Sequence, residues 1–178
     1  MCYPEWLPEM VQVSPWCTGG SDDTFNMLYY IFCRDIKNRN LKFHEHHIWF
    51  FNECEDGKEK IFWHLTSRMQ RARKVPRRKR KFYDQDEIPA QRIPDLRRAE
   101  RLPWVRAIIE NAGKIEILSW DCEEGDVSTK TYVWLKNRDF VVIMKKYPNH
   151  SRRLVTSFYV DKEYKRHDFE RKYNHRIS

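Results

Sequence analysis

The sequence predicts an α+β fold in which N-terminal helices precede a four-stranded antiparallel sheet. Three observations predict it. Phe25, Leu28, Tyr29, Phe32 and Ile36 recur at helical spacing. Leu102, Val105, Ile108 and Ile109 form a second apolar stripe of the same period. Four β-branched and aromatic runs, "KIEILSWD", "TKTYVWLK", "DFVVIMKK" and "RRLVTSFYV", then follow with short connections that favour an antiparallel meander.

The elements can be taken in order. Residues 1–20 carry three prolines, two glycines and two tryptophans, and read as an irregular arm packed on one domain that spans residues 21–178. Ser21, Asp22 or Asp23 supplies the oxygen that caps the first helix, which ends near "KNRN". Two strands follow, near "LKF" and at "HIWFF". The Asp56-Gly57 pair supplies a tight turn, and "KIFWHLTS" is expected to return as a strand and complete a hairpin. Residues from about 69 to 92 form a basic insertion expected to be irregular, because charge repulsion and low apolarity oppose packing. A helix over 94–112 is either kinked at Pro103 or restarted by it. The run "KEYKRHDFERKYN" closes the chain as a polar helix.

Composition narrows the function classes. At 178 residues and 40% hydrophobic content the chain can bury a core. The five cysteines, at 2, 17, 33, 54 and 122, are odd in number and form no C-x-x-C pair, which reads as reduced thiols in a cytoplasmic protein. The N-terminus lacks the basic-then-apolar order of a secretory leader, and no window approaches the ~20 apolar residues that span a bilayer, so no membrane partner is expected. A phosphate loop, a dinucleotide fingerprint and a nucleophile elbow are all missing.

The net charge of +8 is concentrated in one place. Residues 68–81, "RMQRARKVPRRKRK", hold nine Lys and Arg and no acid; the other 25 basic residues nearly balance 26 acidic ones. Such a segment is the footprint of a polyanion partner, with a solvated loop or a localisation tag as the plainer alternatives. Arg71, Arg73, Lys74, Arg77, Arg78, Lys79, Arg80 and Lys81 are the candidate nucleic-acid ligands, joined by Lys145 and Arg153 at the border of the sheet.

Strand alternation in "IFWHLTSR" sets Phe62, His64, Thr66 and Arg68 on one face and Ile61, Trp63 and Leu65 on the other, apolar one. An imidazole passes protons near neutrality and a guanidinium holds phosphate in a two-pronged contact. "RRAERLPW" adds Arg97, Arg98, Glu100 and Arg101, with Glu100 read as an acid–base group or as an ion-pair partner. In "RRLVTSFYV" alternation sets Leu154, Thr156 and Phe158 against Arg153, Val155, Ser157 and Tyr159. "HEHH" puts His44 and His46 on one strand face, but no ligand frame accompanies them, and neither a metal nor any other cofactor is expected.

"FWHLTSR", "RAERLPWVRAIIENA", "DFVVIMKK" and "LVTSFYVD" resemble the phage-associated branch of the barnase–EndoU–colicin–RelE nuclease superfamily, over roughly residues 45–175. The resemblance implies helices followed by a four-stranded antiparallel sheet, and metal-independent cleavage of RNA by a phage- or mobile-element-encoded, toxin-like enzyme. It implies catalytic roles for His64, Arg68, Arg101, Glu100 and Thr156, with Ser157 and Tyr159 beside them. The ribose 2′-hydroxyl would attack the adjacent phosphate and leave a 2′,3′-cyclic phosphate. His64 or Glu100 would be the base, and the other, or another nearby group, the acid. RNA is the implied partner, and a toxic nuclease calls for an inhibitor or antitoxin protein. The basic insertion and the N-terminal arm depart from the pattern. They keep open a non-catalytic RNA- or DNA-binding regulator that uses residues 68–81, and a protein that docks acidic protein partners.

Overall fold

Leu28, Phe32 and Ile36 lie on the buried side of the first helix, as their spacing requires. The computed structural model describes residues 3–13, 21–74, 87–88, 90–125 and 128–176. Helix α1 spans Ser21–Phe32 and runs on into a wider π-type turn, Cys33–Lys37. Strands β1 (Lys42–Phe43) and β2 (His46–Trp49) pair antiparallel. β3 (Cys54–Glu55) and β4 (Lys58–Glu59) form a minimal hairpin. Its corner is Asp56-Gly57, with φ of 51° and 72°, the doubly left-handed turn that Asp-Gly favours.

The segment expected to return as a strand is instead helix α2, Lys60–Thr66. The hairpin between "HIWFF" and "KIFWHLTS" therefore does not form. Ile61, Phe62, Leu65 and Thr66 are buried, and that spacing is a helical face. A short run of aromatic and β-branched residues fits either period, and tertiary packing decides. Phe62 meets Phe25, Tyr29 and Phe32 edge-on at 5.3–6.4 Å, contacts that fix α2 against α1.

β5 (Ser67–Gln70) continues directly from α2, followed by β6 (Arg73–Lys74), β7 (Glu87–Ile88) and β8 (Gln91–Pro94). β5 pairs with β8 and β6 with β7, so the ends of the basic insertion form an antiparallel ribbon where an irregular connection was expected. Arg77, Arg78, Lys79, Arg80 and Lys81 lie outside the described residues. The next helical stretch is two helices, α3 (Leu96–Ala99) and α4 (Leu102–Glu110), with Pro103 in the first turn of α4. There a proline costs no hydrogen bond.

β9 (Ile117–Glu123), β10 (Thr129–Leu135), β11 (Phe140–Lys146) and β12 (Arg152–Tyr159) form the expected meander, and α5 (Glu163–Asn174) follows. The sheet is larger than predicted, and mixed. Its order is β1-β2-β12-β11-β10-β9, and β2 pairs parallel to β12 through Ile48–Arg152 and Trp49–Arg153. The four-stranded antiparallel architecture expected after N-terminal helices is thus replaced by a curled six-stranded mixed sheet with five helices among the described residues. The two short strands were expected, but as neighbours of "KIFWHLTS"; nothing local marks the parallel pairing of β2 with β12, about a hundred residues further on.

Both faces of the sheet are covered, which explains why β10 and β11 read as continuous apolar runs. Val133, Leu135, Phe140, Val142, Met144 and Leu154 pack under α1, α2 and α4. Trp120, Tyr132, Trp134, Val141 and Ile143 pack around Phe169 of α5. The N-terminal arm is pinned by buried Leu7 and by a bond from the Val11 amide to the Glu100 carbonyl at 2.8 Å.

Candidate functional site

A helix ends with carbonyls that lack partners within it, and the C-terminus of α2 shows where these go. The Trp63 carbonyl accepts the Ser67 hydroxyl at 2.5 Å, and the Thr66 carbonyl accepts the Asp95 amide at 3.0 Å. The His64 carbonyl accepts Arg98 Nη1 at 3.0 Å and Thr156 Oγ1 at 3.3 Å. The same Arg98 nitrogen reaches the Ser67 carbonyl at 3.2 Å and Thr156 Oγ1 at 3.4 Å. Arg98 is therefore a C-terminal cap delivered from α3, and its charge suits the negative end of α2. Asp95 holds it in turn, by an Nε–Oδ2 approach of 3.4 Å, while accepting the Arg98 amide at the start of α3. Burial pushes the Arg98 pKa down; Asp95 opposes this, and Arg68 and Arg92 add to it.

Thr156 reaches α2 because β12 bulges. Opposite β11, Ile143 pairs with Thr156 but Met144 pairs with Leu154, so Val155 is the extra residue. Simple alternation would put Leu154, Thr156 and Phe158 on one face. The bulge instead leaves Leu154 in the main core and sends Phe158 to the α5 side. Ser157, opposite Val142, is fully buried, and its hydroxyl has no hydrogen-bond partner among the described residues.

His64 itself is exposed, on the rim of a cleft of about 520 Å³ that it shares with Phe51, Glu53, Lys60, Arg153 and Thr156. Partial desolvation lowers its pKa from the ordinary imidazole value, and the nearby Arg92 and Arg98 lower it further. Arg92 is fixed from β8 by Ser67 Oγ at 3.4 Å and by Glu55 at 3.6 Å. Lys60, one turn before His64, pairs with Glu53 at 2.7 Å; that bond holds the carboxyl of Glu53 below and the ammonium of Lys60 above their ordinary pKa values.

The other candidates divide. Arg68 lies in a second cleft, of about 480 Å³, with Arg97, Arg98, Tyr159, Asp161 and Lys165. The Tyr159 ring lies under the guanidinium groups of Arg97 and Arg101, at 5.0 and 5.1 Å. Arg101 is held by the Arg97 carbonyl at 3.0 Å and lies over Trp104, and Glu100 faces a cavity under the N-terminal arm. Arg101 and Glu100 are not brought to His64; within "RRAERLPW" it is Arg98 that reaches α2. Strand alternation had also placed Arg68 beside His64, but the helix separates them into different clefts. Thr66, expected on the same face, is buried and bonded to the Phe62 carbonyl at 2.9 Å. Arg71 is exposed on the ribbon, while Arg73 and Lys74 take part in its pairing.

Glu53, Lys60 and Arg92 were missed. Reading α2 as a helix would have exposed the i, i+4 relation of Lys60 to His64; nothing local marks Glu53 or Arg92. The "HEHH" histidines serve separate ends. His44 takes a left-handed φ of 52°, His46 stacks on His150 at 5.3 Å, and His47 bonds Asn40 at 3.0 Å. Among the described residues no helix is long and apolar enough to cross a membrane. No protein-family model, curated protein or solved structure matches the chain.

Proposed function

We propose that the chain is a metal-independent endoribonuclease whose centre is the His64 cleft. One observation carries the reading: an exposed imidazole with its pKa held below the ordinary value sits among the cations Lys60, Arg92, Arg98 and Arg153. Such a ring is neutral at physiological pH and free to accept a proton, while its surroundings favour a phosphodiester.

In this reading His64 takes the proton of the ribose 2′-hydroxyl, which attacks the adjacent phosphorus. Arg153 offsets charge on the phosphoryl oxygens. As the bond from phosphorus to the 5′ oxygen breaks, the Lys60 ammonium, kept protonated by Glu53, gives that oxygen its proton. Arg98 and Thr156 are positioning residues that hold the end of α2 through its backbone. The products are a 2′,3′-cyclic phosphate and a free 5′ hydroxyl.

The test is to incubate the protein with RNA in EDTA and to examine the new ends. Cyclic-phosphate ends are expected, DNA should survive, and H64A should lose about 100-fold or more in rate. Intact RNA, with salt-sensitive binding to both RNA and DNA, would replace the enzyme by a nucleic-acid-binding regulator.

A further inference from the structure

Phe51 and Arg153 both line the His64 cleft, and the Arg153 guanidinium lies over the Phe51 ring at 4.5 Å. From Phe51 a chain of rings leads away. Phe51 meets Trp49 at 5.4 Å between centroids, and Trp49 meets Tyr147 at 5.3 Å. The Lys145 ammonium lies over Tyr147 at 6.0 Å. Sheet register makes this a continuous strip, since Arg153 is beside Trp49 on β2 and opposite Lys145 on β11.

The rings are not core. Phe51 is 49% exposed, and Trp49 and Tyr147 are half-buried. The Trp49 indole donates to Ser151 Oγ at 3.4 Å, which fixes the ring at the surface. Among the described residues neither Lys145 nor Arg153 is paired with a carboxylate, and the carboxylate of the adjoining cleft, Glu53, is taken by Lys60. Ring faces alternating with unpaired cations match a single-stranded nucleic acid, whose bases stack while its phosphates meet the charges. A duplex hides its base faces and cannot use such rings.

We propose that Phe51, Trp49 and Tyr147 stack unpaired bases of a strand whose backbone is held by Arg153 and Lys145, so that the substrate delivered to His64 is single-stranded RNA. The proposal rests on the reading of that cleft as an RNA-cleaving site and adds the form of the substrate.

The probe is a fluorescent 2′-O-methyl RNA oligomer, which has no free 2′-hydroxyl to attack, followed by anisotropy. It is compared with its duplex and with an abasic strand of equal length, on the wild-type protein and on F51A and F51Y. The single strand should bind about 10-fold tighter than either comparator. F51A should lose about that factor on the single strand alone, and F51Y should retain the affinity. No binding, equal binding of the abasic strand or duplex, or an F51A affinity equal to wild type would overturn the proposal. The wild-type comparison stands even if F51A misfolds. Since the probe is not cut, ring-dependent binding by a protein that leaves RNA intact refutes only the catalytic reading. RNA cleavage without ring dependence refutes only this one.

Discussion

The Arg98 guanidinium donates through one nitrogen to the His64 carbonyl at 3.0 Å, across 34 positions of chain. It thereby sets where α2 stops and where the imidazole leaves the backbone. The His64 carbonyl, the Ser67 carbonyl and Thr156 Oγ1 all meet this same nitrogen, which the approach of Nε to Asp95 aims at them, whereas a lysine ammonium is a lone point charge on a shorter, flexible stem with no second nitrogen to be held that way. R98K is expected to destabilise the fold by about 2 kcal/mol, since several acceptors at the end of α2, two of them in part-buried bonds, lose a charged donor together. For a chain of this size that is about 4–8 °C in Tm. Thermal melting checks it, and an unchanged Tm would refute the capping role. In an active enzyme kcat should fall more than KM rises, because Arg98 positions the base without touching substrate.

Thr156 and Arg98 should be energetically coupled, because they bond each other at 3.4 Å and share the His64 carbonyl. T156V and R98A are therefore expected to be non-additive, with an interaction of at least about 0.5 kcal/mol in urea denaturation. Additive losses would mean that the two side chains act independently.

Much of this architecture was readable in the sequence, and the failures share a cause. Long periodic segments such as Phe25–Ile36 and the four C-terminal strands declare themselves, because many residues repeat one spacing. "KIFWHLTS" has only two turns in which to do so, and its aromatic and β-branched content points the wrong way. The error propagated: a strand would align His64 with Thr66 and Arg68, whereas the helix buries Thr66 and joins His64 to Lys60. Val155 was invisible for a different reason. A bulge is set by pairing with β11, and no local residue marks it. Arg92 enters the site only because β8 pairs with β5, a relation between residues 25 apart in Arg92 and Ser67.

The His64 titration gives a signed prediction. Its folded pKa lies below the unfolded value of about 6.5, with desolvation as the main cause and Arg92 and Arg98 contributing. The unfolded chain then binds more protons in the window between the two values, so stability rises with pH there and is unaffected above it. If His64 is the base, kcat/KM should rise with pH through an apparent pKa lower than an ordinary imidazole. R92A should move that limb upward by removing a nearby cation. A limb that stays in place in R92A would count against His64 as the titrating group.

Glu59, immediately before α2, predicts a second pH effect, of stability alone. Its side chain is 5% exposed, with Lys37 at 2.5 Å and the Tyr29 hydroxyl at 2.9 Å. Burial opposes its ionisation, but the bonds from Lys37, from its own backbone amide and from Tyr29 together outweigh burial and leave the pKa lowered. The stabilisation is complete above the unfolded carboxylate value, about 4.3, and is lost as pH falls through the lower folded value. Urea midpoints measured from pH 6 to pH 3 should fall for the wild type and less steeply for E59Q. Parallel curves would remove Glu59 from the account of acid stability.

The strip beside the His64 cleft depends on a buried network one residue away. Arg152 is 5% exposed; its Nε donates to Thr131 Oγ1 at 2.7 Å, and a second nitrogen approaches Asp121 at 3.6 Å. Asp121 also accepts Lys146 at 2.7 Å and the Thr131 hydroxyl at 2.6 Å, so one carboxylate offsets two cations. Removing it leaves Arg152 charged and uncompensated between β11 and β2, where burial already lowers its pKa. D121N is expected to cost about 3 kcal/mol in urea denaturation, whereas the double variant D121N with R152M should recover part of that loss, since an apolar replacement removes the stranded charge. If D121N alone is neutral, the network is not holding the start of β12. If the double variant is no better than the single, the cost of D121N does not come from a stranded Arg152 charge but from the lost bonds to Lys146 and Thr131.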